Sequence, residues 1–182
     1  MRAMDQQERA PIGAQNLREV VMGAQDNLTT VLAVVLGVAI GSGELHVIAL
    51  AGVAAGLAEA ISMGGVLYTT TRAERDLAVA NGDPTPTTTS RLKDPVAAAA
   101  VTFSAALLAA AIPLAPFAVL PVRWAMLAAV VLSVGGLFGL GAWAGTITRR
   151  GWWRDGLRFV AIGGLAALAA ALVGAALKVE SA

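Results

Sequence analysis

Cysteine is absent from the 182-residue sequence, and histidine occurs once, as His46. Without thiols the chain has no disulfide scaffold, no thiolate zinc site and no cysteine nucleophile, and one histidine cannot supply a cluster of histidine ligands. Charged side chains are also scarce, at 14% of residues compared with roughly 25% in soluble domains. The formal net charge is +1, which leaves no excess of cations for binding nucleic acid, so we expect no nucleic-acid partner.

Apolar residues dominate instead, at 57% of the chain, and the mean hydropathy is +0.72. Five apolar runs have the roughly 20 residues that a helix needs to cross a hydrocarbon core about 30 Å thick. They cover residues 20–40, 47–68, 96–120, 125–147 and 159–177. The sequence therefore predicts an all-α, multi-pass membrane protein whose five transmembrane helices form one domain over residues 19–178.

The distribution of lysine and arginine predicts the orientation of the spans. The counts before, between and after the five spans are 3, 0, 4, 1, 4 and 1. Because cytoplasmic segments carry the excess of lysine and arginine, we expect a cytoplasmic N-terminus and a C-terminus on the far side. Residues 1–18 are polar and lack the apolar core of a cleavable signal peptide, so they are predicted to be a short cytoplasmic segment, amphipathic or frayed.

The longest connection between spans is predicted for residues 69–95. Its stretch 81–90 is rich in turn residues, so we expect an irregular linker there. Within the spans, glycines recur four residues apart, at Gly52 and Gly56 and again at Gly135 and Gly139. That spacing lets helix backbones approach closely and predicts helix packing at both places.

Two acidic residues interrupt otherwise apolar spans, Asp26 in the first and Glu59 in the second. Asp26 lies about 9 Å inside the cytoplasmic end of its span. Met63 and Glu59 lie five and nine residues inside the same end of the returning span, so the three side chains share a level. Glu59 and Met63 are four residues apart, as are Met22 and Asp26, which places each pair on one helix face. Because a short loop makes the helices antiparallel neighbours, we expect them to bring Asp26, Glu59 and Met63 around one site.

An ionisable side chain at membrane depth costs about 2.5–3.5 kcal/mol, so it needs a partner or a proton. The predicted spans contain no lysine or arginine, which leaves protonation or a cation from solution. A carboxyl group that alternates between these two is suited to exchanging metal for protons. Carboxylate oxygens with a thioether sulfur favour a borderline divalent ion such as Fe²⁺ or Mn²⁺ over an alkali ion. The predicted metal ligands are Asp26, Glu59 and Met63, with Met22 and Glu44 as secondary candidates.

Several of these residues also have a simpler interpretation. Asp26 is an interfacial residue if the first helix begins at Asn27, and Glu59 in its protonated form could hydrogen-bond to a neighbouring helix. Met63 by itself is more often core packing than a ligand. His46 lies in a short polar loop and is expected to be solvated.

Four segments, in this order along the chain, resemble the vacuolar iron transporter family and its prokaryotic relatives. They are residues 18–30, 51–65, 112–117 and 151–158. The first is similar to the family's first-helix signature, in which a glycine is followed three residues later by aspartate, here Gly23 and Asp26. The second is similar to the second-helix signature with its serine and methionine, here Ser62 and Met63. The resemblance covers nearly all of residues 18–178.

The resemblance implies a five-helix membrane protein that dimerises and exports Fe²⁺, and often Mn²⁺, from the cytoplasm in exchange for protons. It also implies that Asp26 is the translocation aspartate and Met63 the second-helix methionine. The chain departs from the family's pattern at Ala55, where metal-transporting eukaryotic members have a glutamate, and Glu59, one turn closer to Met63, is the candidate substitute. Asn27 replaces the glycine that commonly follows the aspartate. Such members also have a metal-collecting cytoplasmic domain after the second span, where this chain has 27 residues without methionine.

We therefore predict a homodimeric transporter of divalent metal ions, Fe²⁺ or Mn²⁺, that exchanges them for protons across a bilayer, expected to be a prokaryotic inner membrane. We expect no enzymatic activity and no resident cofactor, because the metal is the transported substrate. One alternative is a non-transporting membrane scaffold or metal-sensing subunit. The other is an intramembrane enzyme that uses Asp26 and Glu59 as acid and base, although no nucleophile or cofactor motif accompanies them.

Overall fold

The computed structural model describes residues 17–82 and 94–177. They form five long helices: α1 (Leu17–Ser42), α2 (Leu45–Ala80), α3 (Pro95–Val119), α4 (Val122–Ile147) and α5 (Trp152–Ala176). Each is long and apolar enough to cross a membrane, and no strand occurs in the described residues. The predicted all-α fold with five membrane-spanning helices is confirmed. Residues 17 and 18 of the predicted N-terminal segment already belong to α1, and the rest of that segment lies outside the described residues.

Short connections make most sequence neighbours antiparallel. Residues 43 and 44 alone separate α1 from α2, and Gly43 has φ +69°, in the left-handed region that favours glycine. Residues 120–121 separate α3 from α4, and residues 148–151 separate α4 from α5. Helix α3 begins with a proline at its first position, and the Asp94 side chain accepts a hydrogen bond from the Val96 N–H at 2.9 Å.

Helix α2 extends beyond the second predicted span. Residues 69–80, which the sequence assigned to the connection, continue the helix to Ala80. The apolar run ends at Tyr68, but no helix breaker follows it, and Arg72 pairs with Asp76 one turn later at 4.0 Å. The helix ends at a turn in which Gly82 has φ +76°. The remainder of the predicted linker, residues 83–90, lies outside the described residues.

Helix α1 lies at the centre of the bundle and packs against each of the other four helices. In its most apolar stretch 50% of the residues are buried, compared with 11% to 33% in the other helices. Its side chains Val31, Leu32 and Val35 pack with Ile48 of α2 and Phe117 of α3. Large apolar side chains are exposed on the outer faces of α2 to α5, where lipid would contact them, for example at Leu50, Leu108, Leu127 and Leu165.

Glycines allow α1 and α2 to approach closely. A Cβ atom at Gly52 would lie 2.7 Å from Val35 Cγ1, and one at Gly56 would lie 3.2 Å from Val31 Cγ2. Both distances are shorter than an ordinary contact, and Leu114 and Ala110 of α3 come closer still, at 2.5 Å and 2.9 Å. The two glycines thus leave space that side chains of α1 and α3 occupy. The helix packing predicted for this glycine pair is confirmed.

The second glycine pair, Gly135 and Gly139 in α4, does not face a neighbouring helix. A Cβ atom at either position would meet no described atom within 4 Å. The close helix packing predicted for this pair is therefore wrong within a single chain.

Candidate metal site

Helices α1 and α2 bring two acidic side chains together. Their contacts pair Val35 with Gly52, and Val31 with Gly56, as expected for antiparallel helices. Further toward the N-terminal end of α1, the carboxyl groups of Asp26 and Glu59 lie within hydrogen-bonding reach of each other. Two residues that are 33 positions apart in the sequence thus share one level of the bundle.

The acid pair lies on the outer surface of the bundle. Asp26 is exposed, and it is the one exposed residue among the described side chains of α1, whereas Glu59 is half-buried. Helix α1 begins at Leu17, so Asp26 lies about 14 Å inside the helix. The helix start at Asn27, on which the interfacial interpretation of Asp26 depended, is therefore not observed.

Among the side chains that the structure describes, no ion pair joins a basic group to Asp26 or Glu59. Basic side chains elsewhere pair with other acids, His46 with Glu44, Arg72 with Asp76 and Arg158 with Asp155. Two ionised carboxyl groups this close repel each other, so a shared proton or a bound cation between them would stabilise the arrangement. Chemically, a pair of carboxyl groups can hold either a proton or a metal ion.

Two methionines flank the acid pair on one side. Met63 follows Glu59 by four residues in α2, and Met22 precedes Asp26 by four residues in α1, so each lies on the helix face of its acid. Because the helices are antiparallel, both methionines lie toward the same end of the bundle. Both are half-buried, and they are the thioether groups closest along the helices to the carboxyl pair.

Glu44 lies at the other end of α2. It immediately precedes the helix and is about 22 Å along the axis from Glu59. Its carboxylate is 3.3 Å from His46 Nε2, and both side chains are largely exposed. The structure therefore does not bring Glu44 to the acid pair, and Glu44 and His46 form a separate contact at the surface.

The acid pair supplies few ligands for a metal ion. Within residues 17–82 and 94–177, no group of three or more His, Cys, Asp or Glu side chains could hold a metal. Divalent ions commonly take about four to six ligands. If each carboxyl group binds through one oxygen, two of them and a thioether supply three ligands, and water or another chain would complete the set.

Asn27 is a polar residue beside the acid pair that reasoning from the sequence left out of the site. It is fully buried, and its Nδ2 donates to the carbonyl oxygen of Gly56 at 2.9 Å and to that of Ala106 at 3.0 Å. These bonds join α1 to both α2 and α3. The available signal was a primary amide in an apolar span, because such a group must find hydrogen-bond partners when it is buried.

Comparison with known protein families accounts for nearly the whole described chain. A sequence model of the VIT family matches residues 17–86 and residues 80–175. Together these ranges extend from the first residue of α1 into the last turn of α5. A comparison with curated proteins gives no match.

Proposed function

Because the chain belongs to the VIT family, the vacuolar iron transporter family, we propose that it exports a divalent metal ion, Fe²⁺ or Mn²⁺, from the cytoplasm in exchange for protons. The family's members are transporters, and metal ion transport is the activity that membership suggests. The chain is then a carrier and not an enzyme. The observation that supports this mechanism is the contact between the carboxyl groups of Asp26 and Glu59.

The carboxyl pair supports exchange because a proton and a metal ion occupy it alternately. With one proton shared between Asp26 and Glu59 the pair carries a single negative charge. A divalent ion neutralises two carboxylates and takes the place of that proton, because an oxygen ligand must lose its proton before it coordinates. Metal that binds from one side therefore releases a proton, and protonation from the other side releases the metal.

The ligand types support a transition metal as the substrate. Asp26 and Glu59 offer oxygen, and Met63 with Met22 offers sulfur from one side of the pair. Oxygen ligands suit Mn²⁺, and the softer thioether adds affinity for Fe²⁺ over Ca²⁺ or Mg²⁺. We propose Asp26, Glu59 and Met63 as the principal ligands and Met22 as a secondary one. Glu44 has no role in this set, because it lies at the other end of α2.

A second copy of the chain covers the acid pair in this proposal. Asp26 faces outward from the bundle, and a charged group in lipid costs about 2.5–3.5 kcal/mol on insertion scales. A two-fold homodimer with α1 and α2 of each copy at the interface excludes lipid from both pairs. It also adds a second set of carboxyl and thioether groups to a ligand set that is small in one chain.

The proposed orientation follows from the lysine and arginine counts. The N-terminus and the extended end of α2 lie in the cytoplasm, and the C-terminus lies on the far side of a prokaryotic inner membrane. Both methionines then lie on the cytoplasmic side of the acid pair. Metal that leaves the cytoplasm meets sulfur before it reaches the two carboxyl groups.

Metal flux in proteoliposomes tests this function. Uptake of Fe²⁺, Mn²⁺, Zn²⁺ and Co²⁺ by vesicles containing the purified chain is measured with a neutral and with an acidic lumen. We expect uptake of Fe²⁺ and Mn²⁺ that is faster with the acidic lumen, because protons leave as metal enters. Asp26→Asn should abolish uptake, and Glu44→Gln, which removes an exposed acid remote from the pair, should transport as the unmodified chain does.

Each contrary outcome rejects a different part of the proposal. No uptake of any of the four metals contradicts the transport function. Metal binding without uptake favours the alternative, a non-transporting scaffold or metal-sensing subunit. Equal uptake with neutral and acidic lumens contradicts exchange with protons, and full activity of Asp26→Asn contradicts the assigned site.

A further inference from the structure

One buried side chain ties together the three helices around the acid pair. Asn27 Nδ2 lies 2.9 Å from the Gly56 carbonyl oxygen of α2 and 3.0 Å from the Ala106 carbonyl oxygen of α3. An atom this close to two carbonyl oxygens must be a donor, so chemistry assigns the amide nitrogen to this position. The Oδ1 atom is buried and has no hydrogen-bond partner among the described residues. The contribution of Asn27 is therefore the donation of its two N–H groups.

These hydrogen bonds resist sliding of α1 along its neighbours. A slide of two residues, about 3 Å, lengthens both donor–acceptor distances beyond hydrogen-bonding range. The apolar contacts of α1 with α2, Val35 at Gly52 and Val31 at Gly56, have no comparable directionality. Among the buried side chains that the structure describes, Asn27 is the one that hydrogen-bonds to other helices.

The two hydrogen bonds of Asn27, which we call the tether, lie close to the acid pair. Asn27 adjoins Asp26 in α1, and its acceptor Gly56 precedes Glu59 by three residues in α2. The tether therefore joins the two helix segments that carry the acids, within one turn of each. Any change in the depth of α1 that breaks the tether also changes the separation of the two carboxyl groups.

We propose that Asn27 is a positioning residue, which sets the depth of α1 against α2 and α3 and so holds the carboxyl groups of Asp26 and Glu59 where one metal ion contacts both. This proposal rests on the transport function proposed above. Without the tether, α1 also occupies positions along its axis, relative to α2 and α3, at which the two carboxyl groups no longer contact the same ion. The apparent metal affinity then falls in proportion to the fraction of molecules in which α1 has the position that lets both carboxyl groups contact one ion.

The magnitude of that fall follows from the strength of two hydrogen bonds between membrane helices. At the average strength measured in membrane proteins, their loss corresponds to about a tenfold change in an equilibrium constant. We therefore expect the Kd for Mn²⁺ and the KM of transport to rise by up to about tenfold. At saturating metal the bound ion restores that position of α1, so the maximal rate should change little.

The test compares Asn27→Leu, Asn27→Gln and the control Thr102→Val. Thr102 is fully buried in α3, and its hydroxyl has no hydrogen-bond partner among the described residues, so its replacement removes a buried polar group without removing a tether. The Kd for Mn²⁺ is measured by calorimetry on purified protein. KM and maximal rate are measured in proteoliposomes, and the midpoint of thermal unfolding is recorded for every variant.

Asn27→Leu should raise Kd and KM together with little change in maximal rate. Asn27→Gln keeps the amide on a side chain one methylene longer, so it should fold and show a smaller rise. Thr102→Val should bind Mn²⁺ as the unmodified chain does. If Asn27→Leu does not fold, the comparison of Asn27→Gln with Thr102→Val decides the question.

Unchanged Kd and KM in the folded Asn27 variants would overturn the proposal. So would a lower maximal rate at constant KM, which indicates loss of folded protein, or an equal rise in Kd for Thr102→Val, which indicates general loosening of the bundle. Failure of the unmodified chain to transport metal rejects the proposed function instead. The two failures are therefore distinguishable.

Discussion

Replacing Gly23 by alanine tests how closely α1 and α3 pack beside the acid pair. A Cβ atom at Gly23 would lie 2.4 Å from the backbone oxygen of Thr102, whereas ordinary contact begins at 3.4 Å. Because the opposing atom belongs to the backbone, the helices must separate by about 1 Å to admit the methyl group. Overpacking of this kind costs about 1–3 kcal/mol. The higher helix propensity of alanine offsets up to about 1 kcal/mol of this cost, so we expect the free energy of unfolding to fall by about 1 kcal/mol.

The matched control is Gly139→Ala in α4, where a Cβ atom would meet no described atom within 4 Å. This variant gains the same helix propensity without overpacking, so it should be as stable as the unmodified chain or more stable. Both are compared by thermal unfolding in detergent. Separation of α1 from α3 also stretches the bond from Asn27 to Ala106, so Gly23→Ala should bind Mn²⁺ more weakly. Equal stability of the two variants would refute the close approach of α1 to α3.

Two further predictions concern the acid pair and the start of α3. Glu59→Gln should release fewer protons per Mn²⁺ bound than the unmodified chain, because the proton that Asp26 and Glu59 share, which the metal displaces, is no longer held by two carboxyl groups. A pH indicator in weakly buffered solution measures this release, and equal release would contradict a shared proton. Asp94→Ala removes the side chain that caps the Val96 N–H, so it should lower the free energy of unfolding by about 1 kcal/mol, as measured by thermal unfolding. Asp94→Asn keeps an acceptor and should lose less, and an equal loss would contradict the capping role.

The five helices were predictable because each apolar run has the length that a membrane requires. The C-terminal end of α2 was not predictable in this way, because the apolar run and the helix end at different residues. The apolar run ends at Tyr68, whereas the backbone stays helical to Ala80, just before the turn at Gly82. A prediction from hydropathy alone therefore assigns residues 69–80 to the wrong kind of structure.

The sequence by itself determined the levels of Asp26, Glu59 and Met63, because the rise per residue in a helix is constant and a short loop makes α1 and α2 antiparallel. Only the tertiary structure decided how each helix is rotated about its axis. That rotation depends on where small residues admit a neighbour, as at Gly52 and Gly56, and no periodicity in the sequence reveals it. It directs Asp26 outward and Asn27 toward the backbones of α2 and α3, so the same turn of helix carries both an exposed acid and a buried tether.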